Sequence, residues 1–282
     1  MKKFKTLFIA LLVLVTAVVA TTILVGCNKV KTVYNDIAQE EDEEYALGVA
    51  HSSTTLLNQL NEFLASDGVL EFITTSIAFH TDLDNIDYSK APIKASVLND
   101  NTGATITMVT EATFAPYEYV LNSGDSQVNG VAGSDVDLMI KFCETYNYKL
   151  RVEQMDFDTI PTEVGTDKSG LMVAAAGLSV TEDRKKSISF STPYTTTVQA
   201  IVSLEENNYK TLDELVGKTV AVQNGTTGEK LIKEYNEGKA KDKQINIQPF
   251  PAVTNAFLEL KQLGVDALVI DSLVAKSLVV KG

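Results

Sequence analysis

Ser179, Glu182 and Arg184 end the run LMVAAAGLSVTEDR at positions 171–184, and their types and spacing suit the capture of an anion. Ser179 stands three residues before Glu182, the spacing of a capping box at a helix start. A helix beginning there aims its free N–H groups, the Ser179 hydroxyl and the fork of Arg184 at one point, a carboxylate clamp. The same residues also suit an ordinary capped surface helix with a solvated arginine, and this stretch alone leaves both readings open. The small and apolar residues from Leu171 to Gly177 predict a buried strand whose backbone other groups can approach closely.

Other chemistries find little support. His51 and His80 are the only histidines, so a histidine-based metal site or a Ser-His-Asp triad is not expected. Beyond Cys27 the only cysteine is Cys143, which leaves no internal disulfide. No Gly-rich phosphate-binding motif occurs, and neither metal nor cofactor is expected. Asp and Glu outnumber Lys and Arg 37 to 24, for a net charge of −13, and losing the lysine-bearing N-terminus makes the remainder more acidic still. Such a surface argues against nucleic acid and against docking on anionic lipid.

Met1 to Gly26 reads as a secretion signal, with Lys2, Lys3 and Lys5 ahead of the apolar run Leu7 to Val19. It ends in Leu24-Val25-Gly26-Cys27, which resembles a bacterial lipobox and makes Cys27 the expected lipidation site. A retained membrane anchor is the alternative, because the apolar run is nearly long enough to span. Either way the protein is expected on the extracytoplasmic face of the cell membrane, tethered to it.

The elements that must position the candidate clamp follow from periodicity. A short β-like piece at Val30 to Tyr34 precedes the acidic run Glu40 to Glu44, read as a solvated loop, and then a strand at Tyr45 to Ala50. Leu56, Leu57, Leu60, Phe63 and Leu64 mark an amphipathic helix that stops near Asp67-Gly68; a second helical piece runs from Val69 to Phe79 and its apolar pattern gives out at His80. Thr81 to Ala104 is polar and predicts a linker. From Thr105 onward strands and helices alternate, with strands at Ile106–Val109, Lys149–Met155, Val198–Leu204, Thr219–Val222, Ile245–Gln248 and Ala267–Ile270. This pattern implies parallel sheets flanked by helices, with ligands at the C-terminal ends of strands. Glu111, Ser179, Gly225 and Asp271 all follow strands and are candidates to line one cleft.

Six motifs then occur in order: Val109-Thr-Glu111-Ala-Thr-Phe114-Ala-Pro116-Tyr117, Gly133-Ser-Asp135-Val-Asp137, Gly177-Leu-Ser179-Val-Thr181-Glu182-Asp-Arg184, Phe190-Ser-Thr-Pro193-Tyr194, Gln223-Asn-Gly225-Thr226-Thr227-Gly228 and Val265-Asp266 through Asp271. Together they resemble the extracellular solute-binding proteins of polar amino-acid ABC transporters, with the two-lobed type 2 periplasmic binding fold: α/β, each lobe a mostly parallel sheet flanked by helices, joined by two hinge strands. Family members carry a further strand and helix after the counterpart of Ala275. Here Glu43-Glu44-Tyr45 to Ala50, Thr54 to Leu64 and Asp67-Gly68-Val69 resemble that tail, so the chain reads as a circular permutation; an unrelated N-terminal insertion is the alternative. The permuted reading puts the signal at 1–26, lobe 1 at 47–195 including the linker 81–104, and lobe 2 at 196–282 plus 28–46. The hinge strands lie near Tyr45–Ala50 and Pro193–Ala200.

The resemblance implies a site for a free amino acid. Arg184 takes the α-carboxylate with the Ser179 hydroxyl and Thr227; Asp271 takes the α-ammonium with the Gly177 carbonyl; Phe114 and Phe157 sandwich the stem, unless they are plain core aromatics. Glu111 and Gln223 face the ligand side chain, which disfavours an acidic ligand and suits a cationic or polar one. Ala176 stands where some cationic-ligand binders have Ser, and Thr226 shapes the turn. The implied partners are the free amino acid and a permease, with the protein a monomer that binds no nucleic acid. The rivals are an enzyme of the same fold, such as a cyclohexadienyl dehydratase with Glu111 as its acid, and a sensory lipoprotein.

Overall fold

The computed structural model describes residues 30–39 and 41–280. The signal run and Cys27 lie outside the described residues. In chain order the elements are β1 (Thr32–Asp36), β2 (Glu43–Tyr45), β3 (Gly48–Val49), α1 (Thr54–Leu64), α2 (Val69–Thr81), β4 (Thr105–Thr110), β5 (Thr113–Phe114), β6 (Glu118–Val120), β7 (Val131–Ala132), α3 (Ser134–Tyr146), β8 (Lys149–Gln154), α4 (Ile160–Gly165), β9 (Met172–Ala174) and β10 (Ser189–Phe190). They continue with β11 (Thr195–Thr197), β12 (Gln199–Leu204), β13 (Thr219–Gln223), α5 (Thr227–Asn236), β14 (Asn246–Phe250), α6 (Val253–Lys261), β15 (Ala267–Asp271) and α7 (Ser272–Val280).

Two five-stranded sheets form two lobes, in the type 2 arrangement. The first has the order β10-β3-β9-β4-β8 and the second β1-β12-β15-β13-β14. Each is mixed where alternation alone implied parallel strands. In the first, β9, β4 and β8 run parallel while β3 runs antiparallel to both its neighbours, β9 and β10. In the second, β15, β13 and β14 run parallel while β12 runs antiparallel to both its neighbours, β15 and β1. The antiparallel strands adjoin the crossing between the sheets. There β2 and β11 form a two-stranded ladder, with Tyr45 opposite Thr195 and Glu43 opposite Thr197. A small sheet β5-β6-β7 lies beyond β4.

Residue type explains the layering. ALVID of β15 is buried at every position, as a central strand covered on both faces must be. α1 buries Leu56, Leu60, Phe63 and Leu64 on one stripe. One hydrophobic cluster runs through both lobes, joining Tyr45, Leu60, Met108 and Phe142 to Val202, Leu268 and Leu278. α7 packs on β1, β12 and α2, so the first and last described elements meet.

Three local expectations are corrected. The strand expected over Tyr45–Ala50 is two short ones, because residues 43–45 pair with β11 while 48–49 join the first sheet. The apolar pattern of α2 does not end at His80. His80 is fully buried, its Nδ1 2.7 Å from the Tyr119 hydroxyl and its Nε2 3.0 Å from Asp137 Oδ2, which also accepts from Ser76 Oγ. A polar side chain satisfied in this way needs no solvent. Third, no helix starts at Ser179; only a 3₁₀ turn forms, over Arg184–Lys186.

Candidate functional site

The cleft between the lobes is built on the crossing strand β2. Its Tyr45 bridges to Ser179, and the Val180 N–H donates to the Glu44 carbonyl at 2.8 Å. The Ser179 backbone is thereby held in extended pairing, which is why the expected capping box does not form. The Ser179 hydroxyl donates instead to Glu43 Oε2 at 2.8 Å.

Arg184 is the buried cation of the site. One guanidinium nitrogen donates to the Ser179 carbonyl at 2.8 Å and the other to the Gly225 carbonyl at 2.9 Å, so it ties the two lobes together. Its guanidinium carbon lies 5.1 Å from the centre of the Phe157 ring, within cation–π range. Burial lowers its pKa, and Tyr45, Asp271 and Glu43 oppose that shift. The lobes also touch at Gly225, with φ +72°: a Cβ placed there would stand 2.7 Å from Asp158 Cβ. Clefts of about 270 Å³ and 190 Å³ open beside this contact, and Arg184 and Gly225 line both.

Asp271 ends β15, directly opposite Gln199 of β12, and is 2% exposed. It accepts a hydrogen bond from the Tyr45 hydroxyl. Burial first, and the charge of Glu43 second, push its pKa up to about 7, while Tyr45 and Gln199 hold it down. Gln199 Nε2 donates to Glu43 Oε1 at 3.0 Å and to Thr227 Oγ1 at 3.2 Å. Thr227 is the first residue of α5, and Thr226 caps that helix by accepting from the Glu229 N–H. The Thr226 hydroxyl donates to the Gln223 carbonyl at 2.8 Å, which fixes the turn.

On the far side, Glu111 is half-buried and accepts from Thr113 Oγ1 at 2.7 Å and from Gln223 Nε2 at 3.1 Å, a second polar link between lobes. Burial raises its pKa against those two donors. Gly177 has φ +52°, and a Cβ there would stand 2.9 Å from Phe114 Cε1, so only glycine lets the Phe114 ring lie against this backbone. The Gly177 N–H donates to Asp135 Oδ2 at 2.9 Å, and Asp135 also takes the Tyr194 hydroxyl at 2.8 Å.

The structure therefore gathers Ser179, Arg184, Thr227 and Asp271 about β2, and Glu111 and Gln223 beyond them. Phe114 stacks on Tyr117 and Phe157 lies under Arg184; the two rings sit in separate hydrophobic clusters. Ala176 is fully buried in the cluster of Phe157, Ile160 and Leu178. Glu43 and Gln199 belong to the site and were not singled out from sequence. Locally Glu43 reads as part of a solvated acidic run; only the pairing of β2 with β11 makes it a strand residue on the same face as Tyr45.

The family model of the bacterial extracellular solute-binding proteins, family 3, matches residues 106–268. The chain belongs to that family. Among its relatives is the putative ABC transporter arginine-binding protein 2 of Escherichia coli (strain K12), 29% identical over 63% of this chain and 67% of its own length. The arginine-binding extracellular protein ArtP of Bacillus subtilis (strain 168) is 31% identical over 60% of this chain and 62% of its own length. The chain thus spans about two thirds or less of these relatives. Among solved structures, an ancestral arginine-binding protein bound to arginine matches with TM-score 0.53 at 36% identity, covering 61% of this chain and 71% of that one. The holo arginine-binding protein ArgBP from T. maritima matches with TM-score 0.55 at 36% identity, over 63% and 73%. The ancestral amino acid-binding protein AncCDT-1, described as a precursor of cyclohexadienyl dehydratase, matches with TM-score 0.53 at 28% identity, over 64% and 74%.

Proposed function

We propose that this protein captures a free cationic amino acid between its two lobes and delivers it to an ABC transporter permease. The observation that carries this reading is Arg184, buried at the lobe contact and shared between the Ser179 and Gly225 carbonyls, with Asp271 nearby at the other pole of the cleft. A zwitterion leaving water needs both an anion-holding and a cation-holding pole. Arg184 with Thr227 forms the first and Asp271 the second. Glu111 adds a carboxylate toward the side-chain end, which favours a cationic ligand, and the names of the relatives point to arginine as the first compound to try.

Closure is the mechanism. Ligand contacts from both lobes bias the hinge at β2 and β11 toward the closed form. We place the protein as a monomer on the extracytoplasmic face of the membrane, lipid-anchored through Cys27. We also read the chain as permuted, with lobe 1 at 47–195 and lobe 2 formed by 196–282 with 28–46. That β1 and β2 precede the first lobe and that β1 pairs with β12 supports this order.

The likeness to the dehydratase precursor keeps an enzyme as the second reading. An acid at Glu111 would have to hold a proton; burial raises its pKa in that direction, while Thr113 and Gln223 donate to its carboxylate and oppose the shift, so turnover decides between the readings. A thermal-shift screen across the amino acids, with prephenate turnover alongside, tests the proposal. A melting point raised by arginine or lysine and no turnover is expected. No response to any amino acid would reject amino-acid capture.

A further inference from the structure

Glu43 reaches the site from the crossing strand β2 rather than from either five-stranded sheet. Its carboxylate accepts from Ser179 Oγ of one lobe at 2.8 Å and from Gln199 Nε2 of the other at 3.0 Å. Both donors are neutral, and among the described ion pairs none joins Glu43 or Asp271 to a Lys or Arg. Arg184, the nearest cation, has its guanidinium committed to two carbonyls.

Glu43 and Asp271 are neighbours: Gln199, opposite Asp271 in the ladder, donates to Glu43, and Tyr45, two residues along β2 from Glu43, donates to Asp271. Two adjacent carboxylates remain ionised together only if a cation lies between them; otherwise one holds a proton. The Ser179 hydroxyl has a single proton, and it is spent on Glu43. Its oxygen keeps acceptor lone pairs, as do the carboxylate oxygens of Glu43 and Asp271. Around Tyr45 and Gln199 the site thus offers acceptors and no spare proton, a set suited to an N–H donor with positive charge.

We propose that Glu43 is a specificity-determining residue that pairs with Asp271 about the ligand's α-ammonium. This rests on the amino-acid-binding reading above. It assigns to the hinge strand a direct hold on the ligand, so that closing the hinge and neutralising the carboxylate pair become one event. A ligand without the amino group leaves the two carboxylates with no cation between them, so one must take up a proton, and binding is disfavoured.

The test compares L-arginine with 5-guanidinopentanoic acid, which is arginine lacking its α-amino group. Calorimetric titration is made on the protein and on Glu43→Gln, which keeps the shape and an acceptor for Ser179. The variant is expected to weaken arginine about tenfold or more and to leave the deaminated compound within about twofold. Equal losses for both compounds would show a purely structural role and overturn the inference. Unchanged arginine affinity, or tighter binding, would overturn it too, the latter by showing that Glu43 competes with the ligand. If the unaltered protein binds no arginine while another amino acid raises its melting point, the same pair of titrations is run with that amino acid and its deaminated analogue. If no amino acid binds, the functional reading falls and this inference with it.

Discussion

The Tyr45 hydroxyl donates to Asp271 Oδ1 across 226 positions of chain, from the crossing strand β2 to the end of the central strand β15. This bond favours the charged form of the buried carboxylate against burial and fixes its direction. It ties the hinge to the pole of the cleft that we assign to the ligand's ammonium.

Replacing Tyr45 by Phe removes a donor that lowers the Asp271 pKa. That pKa then rises further, and less of the residue is ionised at neutral pH. We expect amino-acid affinity to fall by about 1–2 kcal/mol at pH 7, a loss that shrinks in more alkaline buffer. Calorimetry at two pH values checks this; a loss independent of pH would place the effect in packing.

The pH dependence has opposite signs for folding and for binding. Asp271, at about 7, lies above its ordinary 3.8 because burial and Glu43 disfavour its charge. Between those values the folded chain holds a proton that the unfolded chain has lost. The stability contributed by this group is therefore full below about 3.8 and is lost as pH rises through about 7. Asp135, pushed up to about 6 by burial, adds to the same slope. Gripping an ammonium needs the carboxylate, so affinity should rise by up to about tenfold per pH unit as the pH approaches 7, with up to one proton released below it. Titrations in buffers of different ionisation enthalpy measure that proton, and Asp271→Asn should abolish it.

Glu118 is fully buried beside Asp135, and burial together with that neighbouring charge drives its pKa well above the carboxylate range. Neither of its oxygens has a hydrogen-bond partner, while Asp135 beside it holds the Gly177 N–H and the Tyr194 hydroxyl. A buried carboxyl without a partner costs stability. Glu118→Gln, of the same shape and always neutral, is therefore expected to leave the unfolding free energy at pH 7 unchanged or to raise it by about 1 kcal/mol. Urea denaturation measures this; a clear loss of stability would mean that the carboxyl makes a bond the amide cannot replace.

Gly225→Ala should act on closure. The added Cβ meets Asp158 of the opposite lobe at 2.7 Å, a contact made only when the lobes meet. We expect ligand affinity to drop by about tenfold, an added closure cost near 1.4 kcal/mol. Small-angle scattering with saturating ligand should show a wider cleft than in the unaltered protein.

Arg184→Lys keeps the charge and loses the fork. A lysine ammonium cannot reach the Ser179 and Gly225 carbonyls together while also facing a carboxylate in two-point geometry. Binding should weaken by about 2–4 kcal/mol, and Arg184→Ala should abolish it in the same titration.

The sequence alone settled what depends on near neighbours in the chain. The stripe Leu56, Leu60, Phe63, Leu64 dictated a helix, and the apolar run ALVID dictated a buried strand. Motif order was enough to identify the family and to single out Arg184, Thr227 and Asp271 as candidates. Tertiary structure decided what depends on pairing between distant strands. Ser179 and Glu182 have capping-box spacing, yet pairing of Tyr45 and Glu44 with Ser179 and Val180 outcompetes a helix start. His80 ends an apolar pattern on paper, but Asp137 and Tyr119, brought from 57 and 39 positions away, make it a core residue. Glu43 lies in an acidic run that reads as solvated. It faces Ser179, Gln199 and Asp271 because a hydrogen-bonded ladder, not local preference, sets which way a strand side chain points.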